Sequence, residues 1–423
     1  MDSSHHVISI VNREENISKL KKKKENKTQQ SEREHDTRNM IHSIKVGISL
    51  VLVSLLYLLN PLFEQVGENA MWAIITVIVI FEFSAGATLG KGFNRGLGTI
   101  VGGGLGCLAA SFAQNIGGVG KSIMVAISVY ICGSVGTYFR LAPRIKQRYE
   151  YGVMIFMLTF NLIVVSGVRE KVWDIARQRL LTILMGYIVC ICVSFLFPFW
   201  DSDELHHSTV LTFHHLADTI QGCLEEYATV VSENKSQPNY SLTVCKSVLN
   251  SKSKEESLAN FARWEPWHGK FGFCYPWEKY LKIGNVLREL ATIILAVGHC
   301  LQASKQDMAS LRESHSAQLE TCEAIGSRVA WALRELGDSM NLMRKCEGKG
   351  TILAKLKAAR AGLSFVISTS KIAKLENGQV LAIASLVFLL REVVEKVEDL
   401  LKEVEELEQI AGFRTNTSTP LSS

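Results

Sequence analysis

Apolar and polar positions are unevenly distributed along the chain. No charged residue interrupts positions 46–63, and uncharged or weakly charged runs follow at 69–81, 96–120, 122–139, 151–168 and 180–200. A helix needs about 18–20 residues to cross the hydrocarbon layer, and several of these runs reach that length. The 69–81 run qualifies only if its helix carries Glu82 inside the membrane and continues through Ala85. Residues 1–40 lack an apolar period and are rich in Lys, Glu, Ser and Gln, the composition of a mobile tail. Beyond Trp200 charges return on a helical period, with Leu205, Phe213, Leu216 and Ile220 near one face. The 232–256 stretch reads as loop with at most one short helix, and long helical patterns follow at 279–306, 308–343, 352–368 and 381–411. In the last of these, Val397, Leu400, Val404 and Leu407 recur at three- and four-residue steps, the seam of a helix pair, read as a helix packed in its own bundle with an intermolecular coiled coil as the alternative. The predicted fold class is all-α. It comprises a disordered cytosolic tail (1–40), a six-helix transmembrane domain (41–200) and a cytosolic helical domain (201–423).

Charge sharpens this division. The 423 residues hold 46 Lys+Arg and 41 Asp+Glu, with a mean hydropathy of +0.14. By region, the balance is +2 for the tail, +6 for 41–200 and −3 for the remainder. The most apolar region is therefore also the most cationic. Basic excess on a soluble face would suit nucleic acid; embedded in apolar helices it points instead to membrane topology and to anions, with no nucleic-acid partner. The ten cysteines show no CxxC pair, which argues against a structural zinc site or a disulfide framework. The polar N-terminus with its run from Lys21 to Lys24 is unlike a cleaved signal.

Six spans place both soluble ends on one side. The 19–24 segment, Lys91 with Arg95, and the cluster Arg140, Arg144, Lys146 and Arg148 fall on that side, while Glu64, Glu68, Lys121 and the 169–174 group fall on the other. The positive-inside bias makes both termini cytosolic.

Two glycine patterns look at first like nucleotide loops. Between Gly86 and Gly90 there are three residues where a Walker A loop needs four, and Gly92 follows Lys91 where Ser or Thr is required. Gly104, Gly106 and Ala109 match a dinucleotide fingerprint only formally, because no strand precedes them. The pairs Gly92/Gly96, Gly98/Gly102 and Gly102/Gly106 instead suit close approach of membrane helices.

The charges inside the apolar runs carry the chemistry. Each ionised residue within a span costs about 2.5–3.5 kcal/mol on insertion scales, so it faces water or a partner rather than lipid. Lys91 and Arg95 lie four apart on one helical face, with headgroup snorkelling as the alternative role. Asp174 can neutralise Arg177 three residues on, which leaves Arg179 unmatched. Arg95 and Arg179 share a depth only if both helices begin before their uncharged runs. For the sixth span a start near Val168 would put Arg179 about 16 Å along the helix. Glu82, the lone acid in a span, is expected to pair with a base or a hydroxyl in the bundle, with proton relay as the alternative. The pairs His206/His207 and His214/His215 read as interfacial or solvated rather than metal-binding.

The segments FEFSAGATLGKGFNRG (81–96), PRIKQRYEYG (143–152), RQRL (177–180) and WEPWHGKF (264–271), in this order, resemble the plant aluminium-activated malate transporter family. The resemblance runs from about residue 40 to residue 300. It implies a dimeric anion channel for malate and other anions, with six membrane helices per chain in contact with lipid and a cytosolic helical domain. It assigns pore roles to Arg95 and Arg179, with Lys91 and Lys146 as further cytosolic-side attractors. Trp264-Glu265-Pro266 falls in a packed cytosolic connector, and no matching residue suggests catalysis or a cofactor. The plasma membrane is the expected location, ahead of the vacuolar membrane. An aluminium ion would need clustered oxygen ligands on the outer face. Glu170 and Asp174, with Glu64 or Glu68, form the candidate set, and Arg169 and Lys171 oppose it. Two other readings remain open: a carrier in which Glu82 couples a proton to anion export, and a non-transporting membrane scaffold.

Overall fold

A computed structural model describes residues 36–55, 58, 70–166, 172–233, 242–266, 268–269, 271, 275–304, 316–369 and 377–415. The chain divides into two compact units, Met1–Phe199 and Trp200–Ser423. The described secondary structure is helical apart from two isolated bridges, His268–Phe271 and Arg344–Arg414.

The first unit contains α1 (36–55), α2 (Ala70–Ile80), α3 (Ala85–Ile116), α4 (Gly118–Leu141), α5 (Pro143–Ser166) and α6 (Val172–Leu196). Ser84 sets the start of α3: its backbone is extended and its side chain accepts the Ala87 N–H at 3.2 Å, satisfying an otherwise orphaned donor. Gly117 and Gly118, at φ +67° and +51°, take the left-handed conformations that reverse the chain between α3 and α4. Pro143 opens α5, where a missing N–H costs nothing, and holds Ala142 extended. Among the described residues four helices are long and apolar enough to cross a membrane: α3, α4, the Tyr149–Ser166 part of α5 and the Ala176–Leu196 part of α6. Helix α2 ends at Ile80 and Ser84 caps the start of α3, so the expected second span does not continue through Glu82 to Ala85. The segment Met71–Ile80 is apolar but shorter, and most of the stretch between α1 and α2, which carries the end of the first expected span, lies outside the described residues.

Glycine decides how α3 meets its neighbours. A Cβ at Gly98 would come within 2.5 Å of the Gly152 carbonyl oxygen, one at Gly102 within 2.5 Å of the Phe156 carbonyl oxygen, and one at Gly106 within 3.1 Å of Ile163. The expected stripe is therefore the seam along which α3 and α5 pack backbone to backbone. The Gly92/Gly96 pair corrects the expectation by half: Gly92 faces the Tyr187 ring of α6, whereas nothing lies within 4 Å of a Cβ at Gly96. The apolar residues that fill core clusters here are few, chiefly Val53, Ala73, Val77, Phe81, Cys190 and Val193. Leu108, Phe112, Tyr130 and Leu184 point outward.

The second unit contains α7 (Asp201–Glu233), α8 (Thr243–Asn250), α9 (Lys252–Ala262), α10 (Trp277–Ser304), α11 (Ser316–Leu342), α12 (Lys349–Thr369) and α13 (Asn377–Ile410). Two short helices, α8 and α9, occupy part of the stretch expected to be loop. One continuous apolar core binds the unit: Leu205, Phe213, Leu216 and Ile220 of α7 meet Ile283, Leu287 and Ile294 of α10 and the Val397-Leu400-Val404-Leu407 seam of α13. That seam is buried within the chain's own bundle, where α13 lies against α10. Burial raises the Cys245 and Cys322 thiols to about 11, so neither is a ready nucleophile. Among the described residues no two cysteines form a disulfide.

The WEP segment is a packed connector. The Glu265 carboxylate accepts the Asp201 N–H at 2.5 Å and the Ser202 N–H at 3.4 Å, closing the start of α7 with a negative charge where the helix dipole favours one. His268 stacks on Trp200 with ring centroids 3.8 Å apart. His206 corrects its expected solvated role: it is buried, with Nδ1 2.8 Å from the Tyr280 hydroxyl.

Candidate functional site

Both arginines singled out by insertion cost lie well inside their helices. Helix α3 begins at Ala85, and ten residues of rise carry Arg95 about 15 Å along it. The described part of α6 begins at Val172, with Val168 outside the described residues, and Arg179 is about 10 Å along that part. Each helix thus starts before its uncharged run, as a shared depth for the two charges requires.

Arg95 and Arg179 are 4% and 3% exposed. One nitrogen of the Arg95 guanidinium, Nη1, donates to the Tyr151 hydroxyl at 3.0 Å, while Nε has no hydrogen-bond partner. The Arg179 guanidinium lies 3.7 Å over the Trp72 ring centroid, and its Nε and Nη1 are likewise without acceptors. The two positive charges are close enough to repel one another. Among the described residues no carboxylate forms an ion pair with either. A buried cation without an anion is costly, and the ring face of Trp72 offsets only part of that cost. What the arrangement lacks is negative charge.

Space is available beside it. A cavity of about 360 Å³ opens between α3, α5 and α6, with Thr99, Thr159, Ile163, Trp173 and Arg179 in its lining. Thr99 is one turn beyond Arg95, and its buried hydroxyl also lacks a partner. Unpaired guanidinium and hydroxyl donors at one locus suit the oxygens of a carboxylate.

The other predicted residues separate from this pair. Lys91 forms an ion pair with Glu82, so its charge is matched, and Glu82 finds the basic partner expected of it. The Glu82 N–H also donates to Thr88 Oγ1 at 3.1 Å. Asp174 and Arg177 are both exposed and form no ion pair with each other, so the expected neutralisation is not made, and Arg177 lies at the cavity rim. The Lys146 side chain, Glu64 and Glu170 lie outside the described residues. Among the described residues no group of three His, Cys, Asp or Glu side chains converges to hold a metal.

Sequence reasoning missed the groups that hold the arginines. Tyr151 and Trp72 carried no signal by spacing, being far from their partners in sequence. It also missed a cationic face on α1: Arg38, His42 and Lys45 pack on Phe81, Phe83 and Phe199, with Lys45 Nζ 4.2 Å over the Phe199 ring and the residue only 1% exposed. The i, i+4, i+7 spacing of these bases was the available clue.

A bundle of membrane-length apolar helices enclosing two buried arginines defines an α-helical membrane protein. Comparison with known proteins makes this specific. The family model described as "Aluminium activated malate transporter" matches residues 31–375, and the chain belongs to that family. It is 37% identical over 394 residues to aluminum-activated malate transporter 2 of Arabidopsis thaliana, covering 92% of this chain and 78% of the relative. To aluminum-activated malate transporter 12 of the same plant it is 42% identical over 314 residues, covering 74% of this chain but only 56% of the relative. Aluminum-activated malate transporter 1 of Triticum aestivum is 35% identical over 400 residues, covering 91% of this chain and 85% of the relative.

Proposed function

We propose that this protein passes malate and related anions passively across a membrane, through a pore in which Arg95 and Arg179 of two protomers meet the anion. The observation that carries the reading is the two buried arginines with unfilled donors, of which Arg179 lines an open cavity. The names of the relatives supply malate as the substrate class. In this reading each chain crosses the membrane six times, α1 and α2 with the region between them contributing the first two spans. Both termini are cytosolic, and the plasma membrane is the location.

The physics is that of a weak, low-barrier site. One elementary charge falling through 100 mV gains about 2.3 kcal/mol, so a dianion gains about 4.6 kcal/mol and leaves an inside-negative compartment without ATP. Arginine lowers the entry barrier, and conduction requires that binding stay weak enough for release. Lys146 acts as an attractor at the cytosolic entrance. Lys91 contributes less to the field than Lys146 because Glu82 matches its charge. The carrier alternative would need Glu82 to exchange protons freely, which its ion pair with Lys91 opposes.

Voltage clamp with malate on both sides tests the reading. A reversal potential that follows the malate gradient and ignores pH is expected; a proton-coupled shift would overturn passive conduction. External aluminium, applied to wild type and to E64Q/E170Q/D174N, tests the proposed outer cation site. Stimulation abolished in the triple variant is the expected result, and equal stimulation in both rejects those ligands.

A further inference from the structure

The cytosolic unit holds a second pair of unmatched arginines, brought together by the way two long helices end. After Leu342 the chain leaves α11 through Met343, whose φ of +47° is a conformation non-glycine residues rarely adopt, and the Arg344 N–H caps the Ser339 carbonyl at 3.1 Å. After Ile410 it leaves α13 through Gly412 at φ +66°, and the Phe413 N–H caps the Glu408 carbonyl at 3.0 Å. The two exits then run side by side: the Arg414 N–H donates to the Met343 carbonyl at 3.2 Å and the Lys345 N–H to the Arg414 carbonyl at 2.9 Å. This is a parallel bridge between Arg344 and Arg414. Residues bridged in parallel sit about 4.8 Å apart with their side chains on the same side.

Both arginines line one cavity of about 540 Å³, walled also by Tyr275, Leu342 and Phe413. Among the described residues neither forms an ion pair. The nearest buried acid is already committed: Glu408 takes the Ser339 hydroxyl at 3.0 Å and the Cys346 N–H at 2.9 Å on one oxygen and pairs with Lys349 at 3.0 Å on the other. Two like charges are thus held together by backbone bonds beside an open volume far larger than a single ion. Guanidinium forks match planar or tetrahedral oxyanions bidentately, so the pair suits a ligand with two negative charges, and the aromatic and aliphatic walls suit a carbon skeleton.

We infer that Arg344 and Arg414 form a cytosolic binding site for a small organic dianion, a dicarboxylate or a phosphate monoester, distinct from the Arg95/Arg179 site. The site ties the ends of α11 and α13 together, so occupancy stabilises the junction between them. Its test uses the purified full-length protein in nanodiscs, with malate and glycerol 3-phosphate as probes and chloride at matched ionic strength as the control. Saturable binding is expected to weaken at least about tenfold in R344Q/R414Q, to be partly restored in R344K/R414K, and to persist in R95A/R179A. If malate alone binds in this Arg344-dependent way, the ligand class is dicarboxylate; if glycerol 3-phosphate alone does, it is phosphate monoester. Equal binding of both probes by wild type and R344Q/R414Q overturns the site, as does binding that vanishes in R95A/R179A alone. Circular dichroism and R344Q or R414Q singly separate loss of the site from loss of the fold.

Discussion

The two units bury opposite things. In the second unit the apolar residues turn inward, and Phe213, Leu216, Ile283, Leu287 and Leu400 are essentially inaccessible. In the membrane unit many large apolar residues turn outward, and glycine seams and two arginines turn inward. Burial of oily surface drives the first arrangement, at about 25 cal/mol per Å². It contributes little to the second, where lipid is as apolar as leucine and close backbone packing has to hold the helices together. Glycine in one unit thus does the work that leucine does in the other, and the buried Glu408 of the second unit has Lys349 as its ion-pair partner whereas, among the described residues, Arg95 and Arg179 have no carboxylate.

Substitution at the glycine seam has the largest expected effect. Gly102→Val places a branched side chain where even a Cβ would lie 2.5 Å from a carbonyl oxygen, and should abolish recovery of monodisperse protein on size exclusion. Gly96→Ala and Gly104→Ala, with nothing within 4 Å, should be recovered like wild type, and equal loss in all three would break the account of the seam. Next comes the oily core. Leu287→Ala should destabilise the second unit by about 2–5 kcal/mol, seen as a lowered denaturation midpoint. Leu108→Ala, at a residue 65% exposed in α3, should cost almost nothing in a bilayer. If Leu108 proved the costlier site, the inside-out contrast would be wrong.

A smaller effect is expected where a carboxylate closes a helix. Removing Glu265 as Ala should cost about 1–2 kcal/mol through the unpaired N–H groups of α7. Burial, the largest influence, holds the Glu265 carboxyl above its ordinary 4.5, against the opposing pull of its hydrogen bonds and of His268. A raised carboxyl favours the folded state most below that ordinary value and loses the advantage as pH rises through its folded value. Wild type should therefore lose stability relative to E265Q as pH climbs from about 4.5, in thermal melts across that window. The opposite slope would mean that hydrogen bonding outweighs burial. The smallest effect is at an ion pair: K279A removes the contacts of Lys279 with Glu403 and with the half-exposed Glu406 between α10 and α13, and its change in melting temperature should shrink further with added salt.

Much of this was legible in the sequence, for physical reasons that also mark where reading stops. Arg95 and Arg179 stood out because a charge inside an apolar run has to be accounted for, and the α13 seam because four residues repeat at coiled-coil steps. The α3–α5 glycine seam was legible as a stripe, but four-residue spacing does not say which face meets a neighbour, so Gly96 was grouped wrongly with Gly92. The partners of the arginines were illegible: Tyr151 reaches Arg95 from 56 positions away, and Trp72 meets Arg179 only through the packing of α2 on α6. His206 was misread because its partner Tyr280 lies 74 positions on, and local polarity alone suggested solvent.

The arginine pair is the centre of the account, and Arg179 is its more exposed claim because its guanidinium contacts a ring rather than a hydrogen-bond acceptor. The decisive measurement is malate current under voltage clamp in cells expressing wild type, R179A and R179K at equal surface abundance. At least a tenfold loss in R179A, about 1.4 kcal/mol or more on the barrier, with partial recovery in R179K, is the predicted result. Undiminished malate current in R179A would contradict it.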